Sequence, residues 1–142
     1  MIDAALQYMF PGIDLTRDCI LQDDGHGPYI AAWRRPEPRP TDAEIAAAAL
    51  PAAQAAKKRE IKQAARAHIL ARYPEWKQTN LLARAVELVS LGDLAGAEWT
   101  QMQAGWAWIQ ATRARSDLLE SDVDACTTAE AVEQLTIGGW PE

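Results

Sequence analysis

The chain has 142 residues, of which 49 % are hydrophobic and 24 % charged, and its formal net charge is −6. This length suits one modest domain or two small units in tandem, and the acidic balance argues against a nucleic-acid partner, for which a basic face is expected. The sequence has no apolar run close to the roughly 20 residues that span a bilayer. Asp3 interrupts the short apolar start, so no signal peptide is predicted, and two distant cysteines, Cys19 and Cys126, suit a reducing compartment.

A short helix and a β-hairpin are predicted for the first 33 residues. The helix places one apolar stripe on Ala4, Ala5, Tyr8 and Met9, and it ends at Pro11-Gly12. Residues 19–22 and 29–33 predict two strands, and the glycines between them favour a tight turn because glycine adopts positive φ without steric cost. A lone hairpin is marginal in water, so we expect the helix to pack on one of its faces.

A proline-rich connector follows the hairpin. Pro36, Pro38 and Pro40 alternate with other residues, a pattern that favours an extended and semi-rigid segment. We therefore predict a domain boundary here, with residues 1–40 forming a helix/β-hairpin head with its connector and residues 41–142 forming a helical region.

The helical region begins with a capping box, in which Thr41 and Glu44 satisfy each other's backbone amides. Pro51 is expected to kink or break this helix, because proline lacks the amide donor and clashes with the preceding turn. The helical pattern resumes at residues 52–73, and Pro74 suits the first position of a new helix, which runs to about residue 90.

A turn at Gly92 and Gly96 separates this helix from a further long one. The further helix carries a coiled-coil-like seam on Trp99, Met102, Trp106 and Ile109, and we expect it to fold back antiparallel on the helix before the turn. Residues 121–126 are largely polar, and a second capping box at residues 127–130 predicts a short last helix. The sequence thus predicts an α+β fold that is mostly α, with an antiparallel helical hairpin in its C-terminal part.

The tryptophans are the most informative side chains. Much of the hydrophobic content is alanine, which buries little of the apolar area that stabilises a core at roughly 25 cal/mol per Å². Tryptophans can fill such a core or anchor a partner, and both interpretations remain open. Trp106 and Trp108 lie about 200° apart on a helix, so Trp108 indicates a second contact surface. The expected partner-binding or core anchors are Trp76, Leu82, Trp99, Trp106, Trp108 and Ile109.

The sequence contains only weak indications of catalytic or metal-binding motifs. His26 lies beside Asp23 and Asp24, but the further oxygen ligands of a calcium loop are missing, so a hairpin turn is favoured. His68 has no nucleophile near it in sequence, and no spacing places two carboxylates inward as an acid and a base. We therefore predict a protein that is not an enzyme, with no catalytic, metal-binding or cofactor-binding residue.

A first set of motifs occupies the N-terminal third of the chain. Its members are Ala4-Ala5-Leu6, Tyr8, Phe10-Pro11, Asp23-Asp24-Gly25-His26-Gly27-Pro28-Tyr29-Ile30, Trp33 and Pro40-Thr41-Asp42-Ala43-Glu44-Ile45. In this order they resemble the XkdW family of small proteins from defective prophages and tailed phages. The XkdW proteins are shorter and lack the helical half of this chain.

A second set of motifs lies in the helical region. Its members are Tyr73-Pro74-Glu75-Trp76-Lys77-Gln78-Thr79-Asn80, Arg84-Ala85-Val86-Glu87-Leu88 and Trp106-Ala107-Trp108-Ile109. They are similar to a helical module of phage tail-fibre-associated proteins.

The two resemblances imply a tail-fibre or baseplate neighbourhood and offer no catalytic residues. The expected function is a structural adaptor that is made in the host cytoplasm and resides in the virion tail. It would bind a tail-fibre or baseplate protein in several copies, and would bind neither nucleic acid nor membrane. The alternative is a tail-fibre assembly chaperone that is absent from the mature virion. A cell-wall enzyme would need the acid and base pair that the sequence does not indicate.

Overall fold

The computed structural model describes residues 2–142, which form five helices and one two-stranded sheet. This agrees with the predicted α+β class dominated by helices. The elements are α1 (Ile2–Met9), β1 (Cys19–Asp23), β2 (Pro28–Trp33), α2 (Asp42–Arg72), α3 (Glu75–Leu91), α4 (Ala97–Ala125) and α5 (Ala129–Gln134). Within residues 2–142, no helix combines the length and the apolar character needed to cross a membrane.

The chain divides into two compact units. The first contains the chain up to Lys57 together with Val123–Leu135, and the second contains Lys58–Asp122 and Thr136–Glu142. The domain boundary predicted after residue 40 stays a prediction.

The core of the first unit lies between α1 and the hairpin. Leu6, Ile13, Cys19 and Ile30 are buried together there. The predicted stripe through Tyr8 is wrong, because Tyr8 is about half exposed. The residues that pack on this core are instead spaced four apart: Ile2 and Leu6 of α1, and Phe10 directly after the helix.

The two strands pair antiparallel, as predicted. Cys19 faces Trp33 and Asp23 faces Pro28, with an irregularity between Ile20 and Leu21. The turn is held by the Asp23 carboxylate, whose Oδ1 accepts hydrogen bonds from the backbone amides of the two turn glycines at 2.8 and 3.2 Å. Both glycines have positive φ, which explains why the turn needs this residue type.

The proline-rich connector folds against the hairpin. The Trp33 indole donates a hydrogen bond to the carbonyl of Glu37 at 2.7 Å, and the Arg35 guanidinium binds Glu37 at 2.7 Å and Asp18 at 3.4 Å. Pro40 is buried. Side-chain contacts therefore hold the connector, in addition to the stiffness of its prolines.

Helix α2 begins at the predicted capping box. The Thr41 amide donates to Glu44 Oε2 at 2.7 Å, and the Glu44 amide donates to Thr41 Oγ1 at 3.2 Å. The break predicted at Pro51 is wrong, because α2 continues to Arg72. Ala48 and Ala52, on either side of the proline, are both buried, and this packing offsets the loss of one backbone hydrogen bond.

Two helix starts differ from the predictions, and α4 includes a stretch for which no structure was predicted. Pro74 is the N-cap of α3 and not its first residue. Helix α4 continues to Ala125 through the polar stretch, because Val123 is fully buried on one of its faces and holds that turn in place. Helix α5 is capped by Thr128, which accepts from the Ala131 amide, one position later than the predicted box.

The second unit is built on α4, which runs antiparallel to two helices in turn. Its first half returns along α3 after the Gly92 C-cap, as the side-chain contacts between Arg84 and Glu98 show. Its second half lies along α2, with an ion pair between Lys62 and Glu120 at 3.3 Å. The predicted antiparallel hairpin is therefore α3–α4, and the packing of α4 on α2 is an addition to it.

A glycine permits the close approach of α4 to the end of α2. A methyl group at Gly105 would lie 2.8 Å from the hydroxyl oxygen of Tyr73. Farther along α4, Thr112 is fully buried and donates its hydroxyl hydrogen to the carbonyl of Trp108 at 3.1 Å. On this side of α4 the residues are therefore small, or form their hydrogen bond within α4 itself.

Candidate functional site

The α3–α4 hairpin exposes a set of large apolar side chains that we call the hairpin face. Leu82, Val86 and Val89 recur at i, i+4 and i+7 on α3, and Trp106 of α4 lines the same groove as Leu82. Each of these four side chains is between 55 and 68 % exposed. Monomeric proteins rarely expose large contiguous apolar patches without a functional reason.

A groove of about 490 Å³ lies between α3 and α4. Leu82 and Trp106 of the hairpin face form part of its wall, whereas Val86 and Val89 lie farther along α3 and do not line it. Its remaining lining is largely apolar and consists of Gln78, Leu81, Ala85, Trp99, Met102, Gln103, Ala107 and Ile109. The arrangement offers recesses for apolar side chains and two neutral amides for hydrogen bonds.

A charged cluster beside the groove ties α3 to α4. The Arg84 guanidinium donates two hydrogen bonds to the Glu98 carboxylate, at 2.7 and 2.8 Å, and contacts Glu87 at 2.6 Å. These hydrogen bonds raise the pKa of Arg84 and lower that of Glu98. The charges near the groove are therefore satisfied within the chain.

We expect the Arg84–Glu98 contact to make stability depend on pH. Because the folded pKa of Glu98 lies below its ordinary value of 4.5, its stabilising effect is present above that value and is lost as the pH falls through the folded pKa. The Glu98→Gln variant should be less stable than the parent chain at neutral pH. Urea unfolding at several pH values should show the difference shrinking in acid, and a difference that stays constant would contradict this cause.

The predicted partner-binding residues fall into three environments. Trp76 and Leu82 are each about two-thirds exposed, and Trp106 is also largely exposed. Trp99 is half-buried and lines the groove, whereas Ile109 is only 2 % exposed. Ile109 is therefore placed as a core residue, and partner binding by the others stays a prediction.

Trp108 points away from Trp106, as the helical geometry predicted. Its ring lies 5.0 Å from that of His68 and 5.6 Å from that of Tyr73, and the Arg72 guanidinium lies 4.7 Å above it. Its indole donates a hydrogen bond to the carbonyl of Glu142 at 3.0 Å. The second surface predicted for Trp108 is thus occupied by α2 and the C-terminal segment of the same chain.

The C-terminal segment lies extended along the second unit. Arg115 donates to the carbonyl of Gly138 at 2.9 Å, and the Trp140 ring stacks on His68 with centroids 5.9 Å apart. His68 Nε2 lies 3.0 Å from the carbonyl oxygen of Pro141. The role of His68 is therefore to hold this segment, and its position gives no indication of chemistry.

Val86 and Val89 lie on the apolar face of α3 that the sequence indicates, but they were not among the expected anchor residues. Val86 and Val89 belong to a stripe on one side of the helix, while Leu81, Ala85 and Leu88 form a second stripe beside it. A helix that is apolar around so much of its circumference is either buried or bound to a partner. This pattern could have identified the hairpin face from the sequence.

The other groove of the second unit is charged. It lies between α2 and α4 and includes Lys62, Arg66, Glu75 and Glu120, which pair within the chain at 3.2 and 3.3 Å. Among residues 2–142, no three His, Cys, Asp or Glu side chains are placed to hold a metal ion. The hairpin face is therefore the best candidate site.

Comparison with known proteins finds a family similarity in the N-terminal part of the chain. Residues 2–58 match the family model described as XkdW protein, which is a phage protein family. The match covers the head, the connector and the first half of α2, and it indicates a phage-associated protein. The similarity of the helical region to tail-fibre-associated proteins stays a prediction. No curated protein and no solved structure matches the chain significantly.

Proposed function

We propose that this protein is a non-enzymatic structural adaptor of a bacteriophage tail that binds the tail fibre or the baseplate. The match of residues 2–58 to a phage family supports the phage setting. The tail location and the adaptor role are our proposal, and they include several copies of the chain in each assembly. The chain would be made in the host cytoplasm and incorporated into the virion.

The exposed hairpin face is the observation that carries this proposal. Fully burying one leucine or valine contributes about 1.5–3 kcal/mol, so covering four side chains that are more than half exposed provides several kcal/mol. Such a surface has little use in a chain that acts alone. In the adaptor it is covered by another polypeptide of the assembly.

Co-expression with the neighbouring fibre and baseplate genes tests the proposal. A tagged chain should retain one of these proteins through purification, and purified virions should contain the chain at a fixed ratio to that protein. A chain that binds none of them and is absent from virions would contradict the adaptor function.

The alternative is an assembly chaperone, which the same exposed surface also favours. A chaperone would hold the fibre through apolar contacts before the tail is complete, and it would then leave. Mass spectrometry of purified particles separates the two functions. Capture of the fibre by a chain that mature particles lack would support the chaperone.

A further inference from the structure

The C-terminal segment, Thr136–Glu142, is held in the way that a groove holds a short extended peptide. It belongs to neither a helix nor the sheet, and no backbone–backbone hydrogen bond joins it to another part of the chain that the structure describes. Side chains of α2 and α4 reach its backbone carbonyls instead: Arg115 that of Gly138 at 2.9 Å, His68 that of Pro141 at 3.0 Å and Trp108 that of Glu142 at 3.0 Å. Hydrogen bonds to the main chain provide affinity for an extended chain, and pockets for its side chains provide specificity.

An aromatic wall beside these donors favours one kind of side chain. The Trp108 ring lies 5.0 Å from that of His68 and 5.6 Å from that of Tyr73, and the Arg72 guanidinium lies 4.7 Å above it. These contacts are made without the segment. Trp140 then stacks on the His68 ring of the wall with centroids 5.9 Å apart. Rings and a cation together favour an aromatic side chain at this place.

The residues on either side of Trp140 suit this groove for local reasons. Gly139 has a φ of 71°, and a Cβ atom there would lie 3.2 Å from Arg115 Nε. Glycine therefore permits both this backbone conformation and the close approach of the guanidinium. Pro141 restricts Trp140 to extended backbone, which reduces the entropy lost on binding. The groove thus suits an extended segment with the order glycine, tryptophan, proline.

The segment lies at the surface of the second unit. None of the residues 136–142 is buried, whereas α4 beneath them is held by buried side chains such as Ile109 and Thr112. Local opening of an exposed segment needs less free energy than unfolding of the helices. The segment can therefore leave while α2 and α4 stay folded, and the donors of His68, Trp108 and Arg115 are then available to another chain.

We propose that His68, Trp108 and Arg115 form a peptide-binding groove that the chain's own segment occupies until an extended Gly-Trp-Pro segment of a partner polypeptide replaces it. The seated segment carries this inference, because it shows which backbone and which side chain the groove accepts. The groove is separate from the hairpin face, since Trp106 and Trp108 point in different directions. The inference therefore goes beyond the proposed function and does not depend on it.

Peptide binding to the full chain tests the inference. The probe is a fluorescently labelled peptide with the sequence of residues 136–142, and fluorescence anisotropy measures its dissociation constant. Trp140→Ala weakens the hold of the chain's own segment. This variant should bind the probe about tenfold more tightly than the parent chain, in which the groove is open for a smaller fraction of the time. A probe with alanine in place of its tryptophan should lose binding to both chains.

Two further variants in the Trp140→Ala background locate the site. Arg115→Ala removes the donor to Gly138 and should weaken binding of the probe. Trp76→Ala is the matched control, since it removes an exposed tryptophan outside the groove, and it should leave the dissociation constant unchanged. Circular dichroism should show that each variant remains folded.

A folded Trp140→Ala chain that binds the probe no better than the parent would overturn the inference, as would equal binding of the alanine probe. A parent chain that sediments as a dimer while Trp140→Ala is a monomer would also overturn it, because a second copy would then supply the segment. None of these measurements involves capture of the fibre or baseplate, so the adaptor function is tested separately.

Discussion

Replacing Ile109 with alanine should lower the free energy of unfolding by about 3 kcal/mol, within the range for buried isoleucine truncations. Ile109 is 2 % exposed and lines the inner wall of the groove between α3 and α4. Truncation removes apolar contacts and leaves a cavity that two packed helices can close only in part. Urea unfolding followed by circular dichroism measures the loss.

Two variants serve as controls for this result. Ile109→Val removes a single methylene and should cost about 1 kcal/mol, and Trp106→Ala on the exposed side of the groove should cost less than Ile109→Ala. If Ile109→Ala were as stable as the parent chain while it lost fibre binding, Ile109 would be an interface residue and its placement in the core would be wrong.

Replacing Trp108 with alanine should also destabilise the chain by about 3 kcal/mol, at the lower end of the range for large aromatic truncations because the ring is only partly buried. The substitution removes the ring contacts to His68 and Tyr73, the stacked guanidinium of Arg72, and the hydrogen bond to Glu142. The C-terminal segment loses one of its anchors, so it should open more often than the rest of the second unit.

Amide hydrogen exchange measures this local effect. Protection of residues 136–142 should fall more than global stability alone explains, because opening of a segment can be separate from complete unfolding. Trp76→Ala is the matched control, since that side chain is 67 % exposed, and it should leave the exchange of the segment unchanged. Unchanged exchange in Trp108→Ala would show that Arg115 and Trp140 hold the segment without it.

The elements of the head and the course of the chain were largely predictable from the sequence. Capping at Thr41, the glycine turn after β1 and the stop at Gly92 depend on local backbone chemistry, which adjacent residues determine. Pro51 shows where local reasoning fails, because the helix continues through it with Ala48 and Ala52 buried on either side, and this burial outweighs the cost of one proline. The prediction that Tyr8 lies on the packed side of α1 is wrong for the same kind of reason. The side of α1 that becomes buried depends on how the hairpin packs on it, which local sequence does not determine.

The site was predictable only in part. The 200° between Trp106 and Trp108 correctly predicted that they face different ways, because helix geometry alone fixes that angle. The sequence could not show that the C-terminal segment occupies the Trp108 side, since Glu142 and Trp108 are far apart along the chain. Nor could it separate Ile109 from its neighbours on the same seam, because the depth of a residue between two helices depends on how close the helices lie.

The buried position of Cys19 makes the reactivity of its thiol a probe of local opening in the head. This thiol is fully buried in the core of the first unit, and burial raises its pKa, which lowers the fraction of reactive thiolate. In a Cys126→Ser background, an alkylating reagent added to the native chain should therefore modify Cys19 only during transient exposure. The modification rate would then measure the opening equilibrium of the family-matched segment in the purified protein.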